Sequence, residues 1–406
     1  MINNLSDQEE QPAPADSESV KSIFWDKNLQ IIFSITLSAV MGVTSITPAF
    51  PKISRVLEID SYQVGWLITI FTIPGILLTP LLGMLADRIG RKKVLVPSLF
   101  IFSLFGTLCA FSTHFNTLLL LRFLQGVGGA SLGALNVTLI GDIFQGRQRT
   151  AAMGYNASVL SVGTALYPAI GGALAIIGWN YPFFLSALVF PVSLVVLFKL
   201  KNPEPNKEQR ISSYLKDIGN HIKNLKVWGL FTSNFLTFVM LYGGMLTFFP
   251  ILADQRFGST SFVIGVLISA SSVFTGVTSS LLGIITRKVE ESTLIRAAAV
   301  LYAASFVLMP LITNFWLLFI PIFLFGVAQG INMPSNLTLL TRSIPMEYRA
   351  AFMSLNWMMM RSGQAAGPVL LGVGFKYFGL SAPFYSAFGV AIIMFVMLIV
   401  VVKGER

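Results

Sequence analysis

Apolar residues fall along this chain in long unbroken runs, neither the alternation of half-buried strands nor the narrow stripes of soluble helices. Twelve stretches stand out, at about 29–50, 63–86, 94–112, 116–140, 150–177, 181–200, 227–252, 261–285, 294–312, 315–340, 350–377 and 382–402. Each is close to the ~20 residues that a helix needs to cross a hydrocarbon core of about 30 Å. Charge clusters and Gly, Pro and Asn turns separate them. Lipid offers no partner to an open strand edge, so every stretch is expected to be a helix. The pattern predicts an all-α integral membrane protein.

Composition strengthens this reading. Hydrophobic residues make up 54% of the 406 positions and charged residues only 11%, where a soluble domain carries roughly 25%. So few charges cannot cover a water-facing surface. The net charge of +10 would raise nucleic acid in a soluble protein. Here the charges sit in short tracts between apolar runs, so the expected partner is the lipid bilayer and not nucleic acid. Cys109 is the only cysteine, and His114 and His221 lie far apart in connecting segments. No disulfide, metal site or cofactor is expected. Residues 1–25 are polar and acidic with Pro12 and Pro14. They read as a solvated tail, not a signal peptide.

Loop charges set an expected orientation. Connections after even-numbered stretches, with the two termini, hold 22 of the 28 Lys and Arg. By the positive-inside rule both termini face the cytoplasm. The longest connection, 201–226, separates a bundle at 26–200 from a second at 227–406. Within it, Ile211, Tyr214, Leu215, Ile218, Ile222 and Leu225 recur at helical spacing among basic residues. This predicts an amphipathic helix on the membrane surface, serving mainly as a tether.

The two bundles repeat each other at an offset of 200 residues. Gly65, Leu67 and Ile68 recur as Gly265, Leu267 and Ile268; Leu81, Leu82 and Gly83 as Leu281, Leu282 and Gly283. Asn136 and Asn156 recur as Asn336 and Asn356, and Pro168 as Pro368. Matches in one register across several spans indicate duplication. A six-plus-six parallel repeat is a transporter architecture, with the substrate path between the halves.

After the second stretch comes Gly83-Met-Leu-Ala-Asp87-Arg88-Ile-Gly90-Arg91-Lys92-Lys93. It closely resembles the loop signature of the major facilitator superfamily, G-x-L-a-D-r-x-G-r-k. Leu121-Arg122-Phe-Leu-Gln125-Gly126-Val-Gly128-Gly129 resembles that family's fourth-span motif. Gly163-Thr-Ala-Leu-Tyr167-Pro168-Ala-Ile-Gly171-Gly172 resembles the fifth-span motif of its antiporters, with Tyr167 in place of a Gly. The chain resembles bacterial twelve-span drug:proton antiporters most. The resemblance implies twelve helices in two pseudo-symmetric six-helix bundles. It implies a gating loop at Gly83, Asp87, Arg88, Gly90 and Arg91, which lacks its Asp in the second half. It also implies antiport roles for Arg122, Gly163, Pro168 and Gly171, while Asp142 is a carboxylate able to titrate at the cytoplasmic face. Generic helix packing is the competing reading of the glycines.

Charges within a bilayer are rare and usually functional, at about 3 kcal/mol each on insertion scales. Arg122 and Arg361 are the two such positions, and no Asp or Glu lies deep in any stretch. That absence departs from many drug–proton exporters and counts against a buried carboxylate and a cationic drug. Asn136, Asn156, Asn234, Tyr242, Asn332, Asn336, Asn356, Arg361 and Gln364 are the candidates for a substrate cavity; each amide has interhelical bonding as its rival role.

The expectation is a monomeric transporter of the cytoplasmic membrane that exports small lipophilic compounds in exchange for protons. A same-fold transporter of a specific metabolite, sugar or siderophore is the alternative. A membrane enzyme or receptor ranks last, since no catalytic constellation and no P-loop is visible.

Overall fold

The computed structural model describes residues 23–200, 224–345 and 348–402. Most of the tail, and nearly all of the surface helix expected at 201–226, lie outside the described residues. The rest forms twelve helical spans: α1 (Lys27–Val56), α2 (Gln63–Ile89), α3 (Arg91–Phe111), α4 (Phe115–Ile143), α5 (Gly146–Ile177) and α6 (Tyr181–Lys199). The second set is α7 (Leu225–Phe257), α8 (Ser261–Ile285), α9 (Glu291–Leu311), α10 (Phe315–Arg342), α11 (Arg349–Phe378) and α12 (Ala382–Val401).

Polar caps mark several starts. The Asp26 carboxylate accepts from the Asn28 and Leu29 amides at 2.8 and 3.2 Å, and the Thr260 hydroxyl accepts from the Val263 amide at 3.4 Å. These bonds satisfy amides that have no partner inside the helix. Gly90 ends α2 at φ 103°, a conformation that costs residues with a Cβ and leaves glycine unstrained.

Four spans depart from the α-helix within their length. In α1 a short 3₁₀ turn at Thr47–Ala49 follows the α-helix Lys27–Thr44, because Pro48 brings no amide hydrogen to the ladder. In α4 the helix pauses between Gly129 and Leu132. In α6 a 3₁₀ turn fills Leu185–Leu188. In α7 the stretch Met240–Phe248 winds as a π-helix, and the Thr247 hydroxyl bonds the Tyr242 carbonyl five residues back at 2.7 Å. Gly243 and Gly244 lie within it; a Cβ at Gly243 would stand 2.6 Å from the Gly367 carbonyl of α11.

Among the described residues eleven spans are long and apolar enough to cross a membrane on composition alone, and α11 is not one of them. Asn356, Arg361 and Gln364 dilute its apolar character. A span can keep such residues only if they face protein or a water-filled space.

The packing is twofold. In the first half α2 packs on α4, α1 on α5 and α3 on α4 and α6; in the second, α8 packs on α10, α7 on α11 and α9 on α10 and α12. The halves meet through α5 on α8 and α2 on α11. Individual bonds repeat too. Thr79 donates to the Ala130 carbonyl at 2.7 Å, and Ser279 to the Gly330 carbonyl at 3.1 Å. At one end Arg91 Nε lies 2.6 Å from Asp142, and Arg342 lies 3.0 Å from Glu291. The second pair is the first at the repeat offset with its charges exchanged.

Candidate functional site

Close approach of the halves is concentrated toward the end that carries Arg55 and Asp254. Pro168 in α5 presents its carbonyl to Gly265 of α8, and Pro368 in α11 sits against Gly65 of α2, where a Cβ would lie 2.8 Å from the ring. Gly172 meets the Ser261 backbone in the same way. No larger residue fits at these crossings without displacing backbone. Polar bonds add to them: Arg55 grips Asp254 with two bonds of 2.5 and 3.1 Å, and Thr69 donates to the Ala365 carbonyl at 2.8 Å. Toward the Arg91 end the packing loosens. A Cβ on Gly83, Gly154, Gly276 or Gly283 would meet nothing within 4 Å, and Leu77, Leu81, Leu85, Leu281 and Ile284 are exposed.

Between these ends lies a narrow gap lined from both halves by Gly75 and Thr79 of α2, Gly133 and Ala134 of α4, and Trp357, Met358 and Arg361 of α11. The Arg361 guanidinium reaches across to the first half, passing 3.5 Å from where a Gly75 Cβ would stand and 3.9 Å from that of Gly133. Small residues there are what admit a long side chain. Tyr242 of α7, stacked on Phe238, is its electrostatic neighbour. Gln364, one turn along from Arg361, is buried.

Most of the amides are placed elsewhere. In the first half Asn136 donates to the Thr36 hydroxyl, which donates to Asn156 Oδ1 at 2.5 Å, tying α4, α1 and α5. In the second, Asn234 Nδ2 serves Asn336 at 3.1 Å and Asn356 at 2.5 Å, tying α7, α10 and α11. Asn332 donates to Thr237 at 2.9 Å. All are buried. Their bonds hold each bundle together, and none of these amides is among the residues that line the gap.

Arg122 is fully buried and has its own explanation. The α-helical part of α1 ends at Thr44, and its Gly42 carbonyl accepts from Arg122 Nη1 at 2.8 Å. The same guanidinium bonds the Leu67 carbonyl at 3.1 Å and Gln125 at 2.6 Å, and lies 4.3 Å above the Phe71 ring. A cation at a helix C-terminus complements the dipole there. Arg122 thus joins α4 to α1 and α2 within the first half.

At the loose end, Arg91 bridges Asp87 at 2.7 Å and Asp142 at 2.6 Å, fixing the α2–α3 loop to the end of α4. Arg88 lines an open recess with Leu81, Met84 and Leu85. Gly163 faces Leu37 of α1, and Gly171 abuts the Ser45 carbonyl. The fifth-span motif therefore packs α5 against α1 and, through Pro168, against α8.

The description Major Facilitator Superfamily matches residues 32–291 and 253–406. The chain belongs to this superfamily. Among curated members it is 31% identical to Multidrug resistance protein 2 of Bacillus subtilis (strain 168), over 68% of this chain and 71% of that one. It is 27% identical to the Bacillibactin exporter of the same organism, covering 84% and 88%. To the class B Tetracycline resistance protein of Escherichia coli it is 26% identical, covering 87% and 89%. Of solved structures, the nucleoside transporter NupG superposes with a TM-score of 0.77 at 14% identity, covering 93% of this chain and 99% of that one. A bacterial homolog of the human lysosomal transporter Spinster gives 0.74 at 17%, covering 94% and 95%. At such identities the structures share the facilitator fold alone.

Sequence reasoning missed the small residues Gly75, Thr79, Gly133 and Ala134 that shape the gap, and the Arg55–Asp254 pair. Glycine in a span signals close approach but not to what, and pairs 199 positions apart leave no local pattern.

Proposed function

We propose that this superfamily member is a secondary active exporter of small lipophilic compounds, exchanging them for protons by alternating access. One observation carries the reading: a gap lined from both bundles, closed toward the Arg55 end and loosely packed toward the Arg91 end. Charge counting puts the Arg91 end and both termini in the cytoplasm, so this arrangement is the inward-open state of a monomer in the cytoplasmic membrane. The bundles at 26–200 and 227–406 rock about the α5/α8 and α2/α11 crossings. The loop from Gly83 through Asp87, Arg88 and Gly90 to Arg91 latches the cytoplasmic side when the protein opens outward. Pro168, Gly163 and Gly171 keep α5 close-packed through the swing. Asp142, bonded to Arg91, is the carboxylate at which a proton can enter the cycle. Curated relatives named for multidrug and tetracycline resistance support export of lipophilic compounds.

The Bacillibactin exporter among the relatives favours a second reading, a single dedicated metabolite of siderophore type. Purified protein in liposomes separates the two. With an imposed gradient, acid in the compartment that receives substrate, a multidrug exporter should accumulate several unrelated compounds severalfold over a gradient-free control. Accumulation of one compound alone supports the dedicated exporter. Uptake indifferent to the gradient would remove proton exchange.

A further inference from the structure

We infer that the central gap selects organic anions, molecules with a flat aromatic body and at least one negatively charged group, and that Arg361 is the residue that pairs with such a group. This rests on the exporter reading and sharpens it to a substrate class.

The spans are unbalanced in charge. Two cations lie deep in the spans, Arg122 and Arg361, while the acidic residues of the described spans sit at their ends: Asp87, Asp142, Asp254 and Glu291. A cation set among helices within the bilayer is costly unless something satisfies it, and of the two Arg122 is buried and Arg361 half-buried. Arg122 bonds the Gly42 and Leu67 carbonyls and Gln125 through Nε and Nη1, and only its Nη2 is left without a partner. Arg361 forms no hydrogen bond or ion pair with another described residue, and its electrostatic neighbour is the Tyr242 phenol. Its guanidinium points between α2 and α4 of the other half, into the gap. A planar fork of donors held there fits a carboxylate or similar oxyanion.

The walls suit the remainder of such a molecule. Trp357 is one turn before Arg361 on the same helix face, and Met358 lies beside it. An aromatic face and a flexible thioether accept a flat apolar body without demanding one shape. A cationic ligand would meet a like charge in a low-dielectric cleft with no carboxylate to offset it. The gap thus attracts one sign of charge and repels the other.

The test uses two dyes that share a xanthene core, fluorescein as the anion and rhodamine 123 as the cation. Their binding to the full-length protein in nanodiscs is followed by fluorescence anisotropy at pH 7.5 in gluconate buffer, so that chloride does not compete. Wild type should bind fluorescein at least about tenfold tighter than rhodamine 123, the scale of a charge-assisted hydrogen bond. Arg361→Gln should weaken fluorescein by about tenfold or more and leave rhodamine 123 unchanged or tighter. Arg361→Lys keeps the charge without the fork and should fall between, which separates charge recognition from a folding defect. The inference is overturned by equal or tighter binding of rhodamine 123, by an unchanged ratio in a monodisperse Arg361→Gln, or by wild type that binds neither dye. Gradient-driven uptake keeps the two levels apart. Rhodamine 123 pumped with fluorescein excluded leaves the exporter standing and removes the anion assignment. Fluorescein bound selectively but never moved under a gradient does the reverse.

Discussion

Arg122 and Arg361 are the same residue type in similar apolar runs, and their surroundings give them opposite uses. Arg122 closes the break in α1 by bonding the Gly42 carbonyl, whereas Arg361 opens onto the gap. Replacing Arg122 by Met strips two carbonyls and Gln125 of a donor and should cost about 2–3 kcal/mol, since bonds to a charged group are worth more than neutral ones. Thermal unfolding in detergent measures this as a clear drop in Tm. Arg122→Lys should recover only part, because one ammonium cannot reproduce the spread of the fork. Arg361→Gln should leave Tm near wild type, the mark of a residue that holds nothing in the resting protein. Sequence alone set both arginines inside spans. It could not show which one had carbonyls waiting for it, because Gly42 and Leu67 lie 80 and 55 positions away.

At the level of elements, the duplicated ladder between neighbouring spans makes a sharp test. Arg91 with Asp142 and Glu291 with Arg342 occupy equivalent places with exchanged signs. Asp142→Asn should therefore loosen the α3–α4 end by about 0.5–1 kcal/mol, as expected of a partly exposed pair. The swap Arg91→Asp with Asp142→Arg should restore that loss, read by Tm or by protease access to the α2–α3 loop. Arg91 also bonds Asp87, so restoration should fall short of complete, since the swap loses that bond and sets two carboxylates one turn apart. Glycines test the crossings between halves. Gly265→Ala drives a Cβ into the Pro168 backbone, while Gly283→Ala adds one where nothing stands within 4 Å. The first should shift the protein away from its closed Arg55 end and the second should not.

For the whole molecule, the closed end is a balance of several weak cross-half contacts, so single changes should move populations without unfolding anything. Breaking the Arg55–Asp254 pair by Asp254→Asn removes up to about 1 kcal/mol, which alters a two-state ratio by about fivefold at most. Maleimide labelling of Thr69→Cys reports the change, because position 69 is buried between the halves and a thiol retains a weak donor for the Ala365 carbonyl. The native Cys109 is buried and free, so the background should be low. Labelling should speed up in Asp254→Asn; an unchanged rate would mean that the glycine crossings alone hold this end shut.

The pattern of apolar runs and their breaks determined the helical class and the twelve spans to within a few residues at most ends, because lipid forces each span to satisfy its own backbone, and residue matches at one offset determined the duplication. Motif residues such as Asp87, Gly90 and Pro168 determined the superfamily. What only tertiary structure decided was the direction each polar side chain takes. The conspicuous amides are tied up inside the bundles, Asn136 and Asn156 through the Thr36 hydroxyl and Asn336 and Asn356 through Asn234, while unremarkable glycines at 75 and 133 make room for Arg361. A hydropathy run fixes that a residue is inside the membrane, but whether it faces a neighbour, the lipid or a gap depends on the rotation and crossing of helices hundreds of residues apart.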